Sequence, residues 1–194
     1  DRIPGPVDTG LTGQQHVSSV RTWCWSATGT QRRPTHRSGE WPDIMIDVTY
    51  TPPLLACQVP ASSKKQVLQE LSDMVGAETG ICPRSILSAL VYREKLGTTA
   101  IGNGVALPHA TVDQLQQTTT LVASLEQPVD FDSPDGREID IVCIVLGAPE
   151  SQGSYLGAIR FVAETLNQNP DAIRYAQNIG QLEAAMAASR EAAA

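Results

Sequence analysis

Histidine is scarce in this 194-residue chain, occurring only at His16, His36 and His109. An imidazole titrates near neutrality, so its neutral form is a competent nucleophile and phosphoryl acceptor at physiological pH. His109 closes the run R-E-K-L-G-T-T-A-I-G-N-G-V-A-L-P-H, which begins at Arg93. A phosphorylated histidine needs donors around its oxygens: backbone N–H groups, hydroxyls and a fixed guanidinium. The run supplies each kind. Arg93 offers a fork that matches phosphate oxygens. Thr98 and Thr99 offer hydroxyls, and Gly102, Asn103 and Gly104 form a glycine-rich loop that permits close backbone approach. Plainer readings stand beside this one. Arg93-Glu94-Lys95 is also what a solvated helix end looks like, G-N-G is also a turn, and His109 after Pro108 is also a strand-end surface residue.

Other chemistries find less support. The four cysteines (Cys24, Cys57, Cys82, Cys143) are widely spaced, with no C-x-x-C and no Cys/His cluster, so no metal site is expected. Cys143 lies in an apolar run and reads as a small buried hydrophobe. The spaced aspartates Asp130, Asp132 and Asp135 lack the ligand frame and closing Glu of a calcium loop. No G-x-S-x-G is present, and no Lys-Ser/Thr pair follows the glycines as in a P-loop. A net charge of −7 argues against nucleic acid. No apolar run approaches the roughly 18 residues of a spanning helix, so no membrane insertion is expected. No basic-then-apolar leader is visible, and we expect a cytoplasmic protein with reduced thiols.

The elements that must position His109 follow from periodicity. Residues 1–44 hold all three tryptophans and five arginines against four acids, a net of +1 that leaves −8 for the rest. They show no apolar period, and we expect an irregular or disordered extension outside the natural domain, which would begin at Met45. Ile46–Tyr50 reads as a short strand or first turn stopped by Pro52-Pro53. Ser63 and Gln66 form a capping box before an apolar stripe at Val67, Leu68, Leu71 and Val75, a helix ending near Gly76. Pro83 opens a second helix, with Ile86, Leu87, Leu90 and Val91 on one face and Gly97 beyond its end. The run 118–125 is β-prone, and 139–146 reads as a central strand covered on both faces. Residues 128–137 form a polar connection. A third helix spans 155–166, and shorter ones lie near 171–177 and 180–190. This order implies an α/β fold: a mixed sheet flanked by helices, one domain over 45–194.

The run from Arg93 to His109 closely resembles the active-site motif of enzyme IIA domains of the bacterial phosphoenolpyruvate:sugar phosphotransferase system. The likeness is to the mannitol/fructose type, nearest the nitrogen-regulatory branch. Residues 61–71, 128–132 and 154–163 resemble further parts of that family, and the resemblance covers about 45 to 189. It implies a histidine phosphocarrier rather than a stand-alone enzyme, with no cofactor. His109 would take a phosphoryl group from the phosphocarrier HPr or a homologue. Arg93 would stabilise the phosphate, and Thr98, Thr99, Gly102, Asn103 and Gly104 would cradle it. Onward partners would be an enzyme IIB or a regulatory target, in carbon, nitrogen or potassium signalling. Family members often carry a second histidine near the start of the later helix; here that place is held by Tyr155.

Overall fold

In a computed structural model, the backbone is described for residues 22–25, 31–32, 53–150 and 152–193, and side chains for 53–150 and 153–189. A mixed sheet runs through the centre. Its strands are β1 (Thr22–Trp25), β2 (Gln31–Arg32), β3 (Leu54–Val59), β4 (Ala100–Gly102), β5 (Val105–Ala106), β6 (His109–Thr111), β7 (Thr119–Val129) and β8 (Ile139–Gly147). The order is β2-β1-β3-β7-β8-β5-β4, with β6 also on β8. β7 and β8 pair antiparallel, while β3 lies parallel to β7, and β5 and β6 parallel to β8.

β8 alternates sides as a strand must. Val142, Ile144 and Leu146 face one apolar cluster, and Ile141, Cys143 and Val145 face the other. The first cluster is completed by α1 (Lys64–Thr79) and α2 (Pro83–Lys95), the second by α3 (Gln152–Gln168), α4 (Pro170–Arg174) and α5 (Ile179–Ala193). The sequence reading of a mixed sheet flanked by helices therefore holds. Cys143 is fully buried, and burial pushes its thiol pKa well up, which suits an inert apolar filler.

Several local expectations change. Ser63 caps α1 by accepting from the Gln66 N–H, as its spacing suggested. The helix runs through Gly76 and ends at Gly80, whose φ of +76° provides the left-handed cap. The strand at 54–59 follows directly on Pro53, where its short apolar run shows no alternation. Between α2 and His109, the stretch read as a glycine loop holds two short strands, β4 and β5, joined by a turn at Asn103-Gly104. The strand or turn expected at 46–50, and the boundary at Met45, lie outside the described residues, as do His16 and His36.

Candidate active site

His109 is the first residue of β6 and is half-buried. Register places it opposite Val145, near the C-terminal end of β8. The last turn of α2 brings Arg93 to it, and the first turn of α3 brings Tyr155. Both ring nitrogens are engaged. Nδ1 lies 2.8 Å from the Leu107 carbonyl oxygen. A carbonyl only accepts, so Nδ1 carries the proton. Nε2 lies 3.0 Å from Arg93 Nε, which always donates, so Nε2 presents its lone pair. The two contacts together select one neutral tautomer. Burial lowers the His109 pKa below the ordinary value; the Leu107 hydrogen bond raises it, Arg93's charge lowers it and Glu94 raises it, with a net downward shift. The site is a neutral imidazole whose Nε2 lone pair points at a guanidinium.

Arg93 also donates from Nη1 to the Gly97 carbonyl, 3.1 Å away. Its neighbour Glu94 turns inward, with a side chain only 7% exposed, and pairs with Lys64 Nζ at 2.9 Å. Lys64 reaches Asp132 at 2.9 Å as well, tying the start of α1 to the β7–β8 connection. Glu94 and Lys64 were not singled out from sequence. The only signal was the inward neighbour of a functional arginine at a helix end.

The expected phosphate cradle is not assembled around His109. Thr98 Oγ1 donates to the Phe131 carbonyl at 2.7 Å, and Thr99 Oγ1 donates to Glu94 Oε2 at 2.6 Å. Both hydroxyls hold the chain between α2 and β4. Gly102, Asn103 and Gly104 form the turn between β4 and β5, with positive φ at all three. Val105 stands opposite Ile141, whereas His109 stands opposite Val145. Four residues at about 3.3 Å each put the turn about 13 Å down the strand from the imidazole. Asn103 N–H donates there to Asp135, and its carbonyl accepts from Arg174. Asp130, Asp132 and Asp135 are likewise used by local N–H groups, Ser133 and Lys64. No cluster of three metal-ligating groups occurs among the described residues.

Tyr155 does lie at the site. Its ring centroid is 6.4 Å from that of His109, tilted by 54°. It packs over Gly147, where a Cβ would come within 2.5 Å of the ring. Burial raises its pKa, so the phenol stays protonated at neutral pH, the nearby Arg93 charge notwithstanding.

A family model for the phosphoenolpyruvate-dependent sugar phosphotransferase system, EIIA 2, matches residues 51–188. A nitrogen regulatory protein of Bradyrhizobium diazoefficiens is 44% identical over 106 residues, 54% of this chain and 69% of that one. Another from Pseudomonas aeruginosa is 34% identical over 126 residues, 64% of this chain and 82% of that one. The crystal structure of nitrogen regulatory protein IIA-Ntr from Neisseria meningitidis superposes with a TM-score of 0.63 at 25% identity, covering 68% of this chain and 91% of that one. The mannitol enzyme IIA of Escherichia coli, solved in complex with phosphorylated enzyme IIB, shares the fold at a TM-score of 0.59 and 16% identity, over 69% of this chain and 94% of that one. With that match spanning most of the chain, and with an arginine-held imidazole at the end of its motif, the protein belongs to the EIIA 2 family of the phosphoenolpyruvate-dependent sugar phosphotransferase system.

Proposed function

We propose that this protein is a regulatory phosphocarrier that accepts a phosphoryl group on His109 Nε2 from a phosphohistidine protein of the HPr type. The observation that carries this is the pair of contacts fixing the ring: Arg93 Nε on Nε2 at 3.0 Å and Leu107 O on Nδ1 at 2.8 Å. The reaction needs only a neutral nucleophile and charge stabilisation. The Nε2 lone pair forms the new N–P bond in line, and the donor's N–P electron pair returns to the donor imidazole. His109 keeps its Nδ1 proton, so its ring gains positive character, which the Leu107 carbonyl stabilises. The lone pair that Arg93 had engaged is consumed, and the guanidinium is freed to pair with phosphate oxygens. Its remaining N–H donors have no partner among the described residues. The first turn of α3, which carries Tyr155, puts the positive end of a helix beside the incoming anion.

Phosphorylation adds nearly two negative charges at this surface, enough to switch a binding face. The likeness to nitrogen regulatory proteins supports a signalling output over a dedicated sugar route. An enzyme IIB is the alternative recipient, by analogy with the mannitol complex. Either role places the protein in the cytoplasm with its donor. Incubation with phosphoenolpyruvate, enzyme I and an HPr-type donor should add the mass of one phosphoryl group. The adduct should be acid-labile and absent in His109→Ala of unchanged circular dichroism. No mass gain from a relay that labels its own carrier sinks the proposal.

A further inference from the structure

We propose that Glu94 is a positioning residue that holds both nitrogens of the His109 ring in their reactive state, through two separate arms that start at its carboxylate. It does not touch His109 by hydrogen bond. One arm runs through the backbone. Glu94 Oε2 accepts from Thr99 Oγ1 at 2.6 Å, and the carboxylate takes the Thr99 N–H at 3.2 and 3.3 Å. The carbonyl of the same Thr99 accepts the Leu107 N–H at 2.9 Å. The carbonyl of that Leu107 takes the proton on His109 Nδ1 at 2.8 Å. Glu94 thus fixes the peptide that fixes the tautomer. The other arm is the helix itself. Glu94 is anchored by Lys64, which immobilises the last turn of α2, and the preceding residue, Arg93, reaches Nε2.

The residue type is dictated by this wiring. The groups converging on the carboxylate are all donors: a hydroxyl, a backbone N–H and an ammonium. Only a group that accepts at both oxygens satisfies them together. A glutamine of the same shape turns an NH2 toward one of those donors. Thr99 is buried, so a lost contact there is not replaced by solvent.

This assignment rests on the phosphocarrier reading for its consequence, but its test does not need a phosphoryl donor. The nitrogen shifts of the His109 ring in the full-length protein report the tautomer directly. Above the ring's pKa, the wild type should show a protonated Nδ1 and a bare Nε2. Glu94→Gln should move both signals toward the values of a mixed tautomer. Thr99→Val, which removes one hydroxyl at constant shape, should move them in the same sense by less, and Thr99→Ser should restore them. Glu94→Gln should also slow phosphoryl acceptance about tenfold, as loss of an outer group that orients a reactive imidazole does, with little change in KM for the donor protein. If Glu94→Gln fails to fold, Thr99→Val and its serine rescue decide. Wild-type ring shifts in the folded variants overturn the assignment, even when His109 still labels. Shifted signals in a protein that no relay can label uphold it and overturn the phosphocarrier reading instead.

Discussion

Near each end of β8 a flanking helix brings in an arginine, and the two arginines are treated in opposite ways. At the N-terminal end, Arg174 spends every nitrogen. Nε binds Asp140 at 2.5 Å, Nη1 binds Asp171, and Nη2 donates to the Asn103 carbonyl at 2.7 Å. Its side chain is 10% exposed. At the C-terminal end, Arg93 meets an imidazole and a carbonyl, with no carboxylate partner among the described residues. The nearest acid in sequence, Glu94, is taken by Lys64 and Thr99. A saturated guanidinium is a fastener. One whose charge is left uncompensated beside a neutral nucleophile is prepared for an anion that has yet to arrive.

The sharpest way to break this contrast is Arg93→Gln. Removing a charge-assisted contact made to the transferring phosphoryl group should slow acceptance about 100-fold, roughly 3 kcal/mol of transition-state stabilisation. The melting temperature should hardly move. The His109 pKa should rise as well. Burial is the leading cause of its depression, and Arg93's charge adds to it. In the wild type the folded pKa lies below the unfolded one, near 6.5. Acceptance should therefore be flat above pH 6.5 and fall only as pH drops through the depressed folded value. The stability held by the neutral ring should be lost earlier, as pH falls from 6.5 to that folded value, because the unfolded chain takes up the proton first. In the variant the fall should begin at higher pH. An unchanged rate and an unchanged titration by proton NMR would remove Arg93 from the chemistry.

The matching change at the other end, Asp140→Ala, should do the reverse. It strands Arg174 with one of its two carboxylates, largely out of water. Leaving one partner of a buried pair costs about 3–5 kcal/mol, and the partial exposure here reduces that to about 2. Denaturant unfolding should show the loss, while His109 labelling in the folded protein stays near wild type. A large fall in labelling rate without loss of stability would mean that the turn takes part in phosphate binding after all.

The sequence made one of these ends readable and disguised the other. Arg93 and His109 are joined by a motif of one short run, and the capping at Ser63, the opening at Pro83 and the apolar run of β8 are all local signals. Those features placed the helices and the central strand, and the family resemblance placed the imidazole. The roles of Thr98, Thr99 and Gly102–Gly104 were not local. Glycine and threonine suit an anion cradle and a tight turn equally well. Which one they form depends on the register of β5 on β8, and on Arg174, 71 residues beyond Asn103. Likewise β4, β5 and β6 are two or three residues each, too short for alternation to appear. Tyr155 lies beside His109 across a separation of 46 residues that no periodicity reveals, and only family spacing pointed to that position.

The smallest effect separates the two explanations of the glycines. If Gly104 served the phosphate, adding a methyl would cut labelling. If it serves the turn, the methyl acts on stability alone. The structure gives that methyl nowhere to go: φ is +78°, and a Cβ would stand 2.8 Å from both Arg174 Nη2 and Asp140 Oδ1. Asp140 Oδ1 already has no hydrogen-bond partner among the described residues, so the added carbon would crowd an oxygen that gains nothing in return. Gly104→Ala should therefore cost about 1–2 kcal/mol, from a left-handed backbone that alanine resists and from the displaced ion pair. Combined with Asp140→Ala, which removes one of the two clashing atoms, its cost should shrink, because the sites share a partner. Full additivity in that double mutant would place the strain in the backbone and not in the clasp.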